Sequence, residues 1–227
     1  MKNIMLQLLL LSLLIEPIFG ASSNPVYGEN GMVVSTSRQA SQAGIDILKK
    51  GGNAIDAAVA VGFALAVTSS SDGNLGGGGF LVASLIDGTS FTLDHREKAP
   101  SSSNRDMFLD DSGNVNPGMS LYSRAGSGVP GTVDGLIRIL KDHGSGKISI
   151  RQVLAAAIRL AEKGFLLSHY EARRFNAYKA FFEKNKAAAD IFIRKDDRPW
   201  KENDRFIQID LSKTLKRIAK YGRDGFY

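Results

Sequence analysis

The sequence predicts an α+β protein made of one domain behind a short leader. Two observations indicate this fold class. Several segments show helical apolar periodicity between recognisable start and stop residues, and residues 80–94 contain two strand-like runs joined at Asp87-Gly88. With 227 residues, 43% hydrophobic and 23% charged, the chain also has the composition of a globular domain with a core.

The first twenty residues have the pattern of a secretory signal peptide. Lys2 precedes an apolar run that stops at Glu16-Pro17, and small residues follow from Gly20. The run is too short to anchor the protein in a bilayer. We expect residues 1–20 to be a signal peptide and residues 21–227 to be a periplasmic or secreted domain, with no membrane contact after cleavage. The alternative for the leader is a buried N-terminal helix.

The chain contains no cysteine. This excludes disulfides, thiolate metal sites and a cysteine nucleophile. A bacterial periplasm suits such a protein better than the role of a disulfide-dependent secreted scaffold.

Two helices and a hairpin are predicted in the first half of the chain. Ser35-Thr36-Ser37 can cap a helix that runs to Lys49-Lys50, and Gly51-Gly52 ends it. Asn53 then caps residues 54–67, which are almost all small or apolar and are therefore expected to be buried on several sides. In the hairpin, Phe80–Ile86 is continuously apolar, which predicts a strand covered on both faces.

The second half is predicted to be mainly helical. Residues 97–130 are rich in loops, and 110–114 form a turn that resembles a calcium loop only loosely. Residues 186–209 are expected to be irregular or to hold short strands at 191–193 and 206–207. The predicted helices are 132–142 with Thr132 as cap, 149–164 and 168–185 with capping boxes, and 210–222 with Asp210 as cap and Gly222 as stop.

Positive charge is concentrated near the C-terminus. Residues 21–149 contain 10 Lys and Arg against 12 Asp and Glu, whereas residues 150–227 contain 18 against 10. A nucleic-acid surface is conceivable, but few aromatic residues are interleaved with the basic ones and export argues against it. A solvated helix face, or attraction to an acidic partner, is the better interpretation.

A glycine-rich loop followed by an arginine is the strongest indication of a binding site. Residues 73–79 contain four consecutive glycines, and Arg96 stands directly after the second run of the hairpin. Such glycines are kept where φ is positive or where something must approach the backbone closely. Arg binds a carboxylate through two parallel hydrogen bonds. We therefore predict that Arg96 binds the carboxylate of an amino-acid substrate; the alternative is a surface ion pair with Asp94 or Glu97.

Other chemistries find little support in the sequence. The glycines precede a strand, and no Lys-Ser/Thr follows them, so the sequence argues against a phosphate-binding loop. No Gly-x-Ser-x-Gly motif is present, and the three histidines lie in ordinary settings. No paired metal-ligand spacing occurs. We expect no cofactor and no metal site.

Several motifs in order resemble those of the γ-glutamyltranspeptidase family. They extend through essentially all of residues 30–227, which makes the resemblance specific: Gly51–Ala60, Gly73–Phe80, Asp94–Pro100, Gly128–Val133, Ala161–Phe165 and Ala219–Tyr227. The resemblance implies an N-terminal-nucleophile hydrolase with a four-layer αββα sandwich. It implies an exported precursor that cleaves itself, so that a new N-terminal Thr attacks a γ-glutamyl amide such as that of glutathione. It also implies that Arg96 grips the α-carboxylate of the γ-glutamyl group.

The chain departs from the family in what it lacks. The small subunit, with the Thr nucleophile, has no counterpart here, and none of Thr36, Thr68, Thr89, Thr92, Thr132 or Thr214 lies in a nucleophile motif. We therefore expect a partial αββα sandwich, incomplete at the C-terminus, with Arg96 for substrate binding and no catalytic residue. Its partners would be a γ-glutamyl substrate and the missing portion, and not nucleic acid.

Two other functions stay open at this point. One is a related acylase acting on β-lactam side chains or poly-γ-glutamate, because the Arg96 motif alone does not separate these substrates. The other is a non-catalytic amino-acid-binding remnant, which the absent nucleophile favours. In each case the missing strands are expected to leave apolar faces such as Phe80–Ile86 partly uncovered.

Overall fold

The structure is a computed structural model that describes residues 24–72 and 74–227. The predicted signal peptide lies outside the described residues. Residues 24–32 have no regular secondary structure, and residues 33–227 form one compact unit. No helix in the described part of the chain is long and apolar enough to cross a membrane.

Helices and short strands make up this unit, which confirms the α+β prediction. In chain order the elements are α1 (Arg38–Lys49), α2 (Ala54–Thr68), β1 (Phe80–Ser84), β2 (Ser90–Asp94), α3 (Met119–Tyr122), α4 (Thr132–His143), α5 (Ile150–Lys163), β3 (Phe165–Leu166), α6 (His169–Ala177), α7 (Lys179–Phe182), α8 (Lys186–Phe192), β4 (Arg205–Phe206) and α9 (Ile209–Tyr221). Single 3₁₀ turns lie at Arg124–Gly126 and Gly222–Gly225.

Helix α2 is the centre of the packing. It is nearly all apolar, as predicted, and it contacts α1, α4 and α5, while α9 also packs against α5. Its first turn is held by a capping box between Asn53 and Asp56. The fully buried Asp56 carboxylate also accepts a hydrogen bond from the Ser145 N–H at 3.1 Å, which ties the start of α2 to the loop after α4.

Local start and stop signals are mostly where the sequence places them. Ser37 caps α1, and Gly51 follows it with φ +85°, donating to the Leu48 carbonyl. The capping box at Ser149 is present, and Gly222 ends α9 with φ +62°. Ser168 caps α6 by accepting the Glu171 N–H, but the reciprocal bond of the predicted capping box is absent from the described residues. The other two cap assignments are wrong by one or two positions: Gly131 caps α4 in place of Thr132, and Gln208 precedes α9 in place of Asp210.

Two predictions about residues 168–209 are wrong. The helix that begins after Ser168 stops at Ala177 and resumes only as the short α7. Ile191 and Phe192 are the last residues of α8, and Ile193 follows its end, so residues 191–193 are not a strand. Asn185 caps the start of this helix through the N–H groups of Ala187 and Ala188. The strand expected near residue 206 exists as β4, which pairs with β3.

The hairpin of β1 and β2 has one covered face and one exposed face. Leu81 and Ala83 of β1 pack on the core together with Phe91 and Leu93 of β2. The alternate residues of β1 point away, and Phe80 and Val82 are 66% and 83% exposed. The prediction of a strand covered on both faces is therefore wrong for the described residues, because no described element packs on the outer face. The expectation of an uncovered apolar face is confirmed.

Candidate carboxylate-binding site

The glycine loop brings three backbone segments into close contact. Gly79 and His95 exchange backbone hydrogen bonds, which extends the hairpin by one pair. The Gly77 carbonyl accepts the N–H groups of Gly131 and Thr132 at the start of α4. The loop, the end of β2 and the start of α4 are thereby held as one unit.

The three segments can pack this closely because the glycines have no side chains. A Cβ built on Gly78 would lie 2.5 Å from the His95 carbonyl oxygen and 2.7 Å from the Cα of Arg96. A Cβ on Gly135 would lie 2.5 Å from the Cβ of His95. Atoms at these separations overlap, so only glycine fits without a backbone shift.

Of the two reasons predicted for the glycines, close approach to the backbone applies at Gly78 and positive φ does not. Gly76–Gly79 are not among the residues with positive φ. What approaches Gly78 closely is the protein's own backbone at residues 95–96, so this part of the loop is not open to a ligand. Its role at the site is to position Arg96.

Arg96 lies at the surface beside this junction. Its side chain is 63% exposed, and its backbone N–H donates to the Asp94 carboxylate at 2.9 Å. The Nε group donates to Oε2 of Glu97 at 3.3 Å, and the guanidinium carbon lies 5.7 Å from the centre of the Phe80 ring. Among the described residues, no acceptor is within hydrogen-bonding distance of the two terminal nitrogens.

Glu97 is ionised when it holds Arg96 in this way. A hydrogen bond from its own backbone, followed by the hydrogen bond and charge of Arg96, lowers the pKa of Glu97 below its ordinary value. The ion pair anticipated as an alternative for Arg96 is thus present, but it uses only the Nε group. The terminal nitrogens remain available for a fork-like contact with a carboxylate.

A cleft of about 310 Å³ adjoins Arg96. One side is formed by residues 93–98 and the other by the start of α4 and the C-terminal residues. Arg223 pairs with Asp134 at 2.9 Å, and the Tyr227 hydroxyl donates to the Pro130 carbonyl at 2.6 Å. The C-terminal residues therefore form a wall of the cleft, which sequence reasoning missed because no local pattern reports so distant a contact.

His95 is the other residue at this junction whose environment was missed. Its Nδ1 atom is buried and has no hydrogen-bond partner among the described residues. Its ring lies where a Cβ on Gly79 would approach within 3.0 Å. The position of this ring between Gly79 and Gly135 explains why glycines are needed on both neighbouring segments.

The other candidate chemistries for this chain are metal binding and a threonine nucleophile. Within 24–72 and 74–227, no group of His, Asp or Glu side chains is arranged to hold a metal ion. Thr132 is buried in the first turn of α4, and its N–H is bonded to Gly77.

Residues 40–227 match the model of the family described as Gamma-glutamyltranspeptidase. The chain belongs to this family. It is 43% identical over 204 residues to the glutathione hydrolase proenzyme of Escherichia coli (strain K12), a match that covers 90% of this chain and 35% of that protein. The chain thus spans about a third of the length of this γ-glutamyltranspeptidase relative.

Solved structures agree with this assignment. The Helicobacter pylori γ-glutamyltranspeptidase superimposes with a TM-score of 0.85 at 42% identity, over 89% of this chain and 58% of that chain. The cephalosporin acylase from Bacillus halodurans superimposes with a TM-score of 0.78 at 26% identity, over 94% of this chain and 40% of that chain. The chain therefore has part of the N-terminal-nucleophile hydrolase fold, as predicted.

Proposed function

We propose that this chain supplies the carboxylate-binding part of an enzyme that hydrolyses or transfers γ-glutamyl groups from glutathione and related amides. The reaction passes through an acyl-enzyme on a Thr of the family's small subunit, a portion that this chain does not span. Arg96 binds the α-carboxylate of the γ-glutamyl group. The observation that carries the proposal is the position of Arg96 within its family motif, with two terminal nitrogens available beside a cleft.

The geometry supports bidentate binding in three ways. The packed glycines fix the backbone of residues 95–96, so the guanidinium starts from a rigid base. Glu97 and the Phe80 ring limit the rotation of the side chain. An Arg held in this way loses less conformational entropy when it binds a carboxylate than a freely rotating one.

The exposed face of the hairpin supports the need for a further polypeptide portion. Phe80, Val82 and Ile86 are all more than half exposed, and β1 pairs only with β2 in the described part of the chain. An apolar strand with an unpaired edge is a surface that another strand or sheet can cover. We propose that the portion absent here covers this face and brings the nucleophile near Arg96.

A chimaera tests the proposal. Residues 40–227 would replace the matching segment of the Helicobacter pylori enzyme, and turnover of γ-glutamyl-p-nitroanilide would be measured. We expect the chimaera to mature and to turn over the donor, and the chain alone to be inactive. Robust turnover by the chain alone would contradict the proposal, because the nucleophile would then lie within these residues.

A related acylase is the second candidate function. It is supported by the structural similarity to the cephalosporin acylase, at 26% identity. Profiling the chimaera with γ-glutamyl amides and with glutaryl or β-lactam side-chain amides separates the two. A donor without an α-carboxylate that reacts as fast as the γ-glutamyl donor would favour the acylase.

A non-catalytic remnant that binds glutamate is the remaining alternative. Calorimetry of the isolated chain with glutamate distinguishes it from a part of an enzyme. Saturable binding that Arg96→Ala abolishes, together with an inactive chimaera, would favour the remnant.

We also propose that the protein is exported, to the periplasm or the medium. The support is the signal-like pattern of residues 1–20. N-terminal sequencing of protein recovered from cell fractions tests it. A cytoplasmic protein that retains Met1 would contradict export.

A further inference from the structure

A groove between α5 and α9, separate from the cleft beside Arg96, combines an apolar floor with a basic rim. Its floor consists of Ala155 and Ile158 from α5 and Ala219 from α9. The enclosed space is about 600 Å³ and opens broadly to solvent. Lys216 of α9 pairs with Glu162 of α5 at 2.6 Å, which bridges the two sides of the groove.

The rim of the groove is strongly basic. Arg151, Arg159 and Lys163 line it from α5, and Lys216 and Lys220 line it from α9. Only Lys216 has a carboxylate partner within 4.0 Å in the described part of the chain. Glu162 is the only acidic residue that lines the groove. Such a concentration of uncompensated charge costs self-repulsion, which an anionic ligand would relieve.

We propose that this groove binds an acidic peptide segment. Helix α5 has 14 residues and is about 21 Å long at 1.5 Å per residue, so the groove accommodates roughly six residues of extended chain. Glutamate side chains fit both parts of the surface: their methylene groups pack on the apolar floor, and their carboxylates reach the basic rim. Successive side chains of an extended peptide point to opposite sides. They can therefore reach the basic residues of α5 on one side of the groove and those of α9 on the other.

Two other classes of anionic partner fit the groove less well. No aromatic residue lines it, so nucleic-acid bases find no stacking platform. The exposed residues of the rim are Arg and Lys, and the floor holds only small or recessed apolar groups. A helix pair that inserts into a bilayer surface needs large projecting apolar residues, which the groove lacks.

Binding of a labelled decaglutamate peptide to the 227-residue chain tests the proposal. Fluorescence anisotropy would be recorded at about 0.05 M salt, where screening extends over more than 10 Å. A decaglutamine peptide of the same length is the neutral control. The critical variant is Arg151→Glu with Arg159→Glu, which reverses charge on the α5 rim.

The matched control is Lys184→Glu with Lys195→Glu. Both residues are exposed, lie outside the groove and change the net charge by the same amount. We expect the wild type and this control to bind decaglutamate equally. The rim variant should bind at least about tenfold more weakly, because two exposed attractive pairs become repulsive.

Three results would overturn the proposal. One is equal weakening by both double variants, which would indicate attraction by net charge alone. The second is no measurable decaglutamate binding by the folded wild type. The third is tight binding of anionic vesicles or of an oligonucleotide in preference to the peptide. None of these results depends on γ-glutamyl turnover. Arg96→Ala should also leave peptide binding unchanged. Failure of this inference is therefore distinguishable from failure of the proposed function.

Discussion

Replacing Gly78 with alanine tests the structural role assigned to the glycine loop. The added Cβ would lie 2.5 Å from the His95 carbonyl oxygen, 2.7 Å from the Arg96 Cα and 2.9 Å from the Arg96 carbonyl carbon. All three are backbone atoms in a hydrogen-bonded junction, so none can rotate away as a side chain would. Either the loop or residues 95–96 must shift.

The expected cost follows from this overlap. Overpacking in a well-packed region costs about 1–3 kcal/mol. For a domain of about 200 residues, each kcal/mol lowers the midpoint of thermal unfolding by roughly 2–4 °C. We expect Gly78→Ala to lower the midpoint by about 2–12 °C, measured by circular dichroism, with a matching loss in urea unfolding.

Gly76→Ala is the matched control in the same loop. Among the described residues, only the Asn74 side-chain oxygen lies within 4 Å of its added Cβ, at 3.1 Å, and a side chain can move by the few tenths of an ångström required. We expect this variant to unfold near the wild-type midpoint. Equal stability of Gly78→Ala and Gly76→Ala would refute the close-packing explanation.

Two further stability predictions concern the helical part. Asp56→Ala removes the acceptor for the N–H groups of Asn53 and Ser145, so the free energy of unfolding in urea should fall by about 2–4 kcal/mol. A fall below about 0.5 kcal/mol, the smallest cost typical of a helix cap, would contradict the buried capping role. Phe206→Ala empties the centre of an aromatic cluster and should cost about 3–5 kcal/mol. The half-exposed neighbour Ile207 is its control, and a comparable loss for Ile207→Ala would show that Phe206 is not the centre of the packing.

Short-range features of this fold could be predicted from sequence because their causes are local. Asn53 and Ser149 cap their helices through partners three residues away, and Gly51 and Gly222 supply the positive φ that ends a helix. Where the sequence signal was ambiguous, longer-range packing decided. Ile191 and Phe192 form part of a helix because Phe192 stacks on Phe182 and Phe206.

The candidate site was predictable only in part. Arg96 could be chosen from its chemistry, and its location beside the glycine loop follows from the hairpin. Only the three-dimensional structure shows that backbone atoms of residues 95–96, and not a ligand, approach Gly78. The wall made by Tyr227 against Pro130 joins residues that lie 97 positions apart in the chain, so no local sequence pattern indicates it.

The most direct test of the central claim compares two donors on the chimaera that carries this chain. One is a γ-glutamyl anilide with its α-carboxylate, and the other is the same anilide with an α-carboxamide. If Arg96 binds the carboxylate, Arg96→Ala should lower kcat/KM for the first donor by roughly tenfold to several hundredfold, from the loss of a charged hydrogen-bonded pair. The carboxamide donor should change by no more than a few fold. An equal loss for both donors would contradict carboxylate recognition by Arg96.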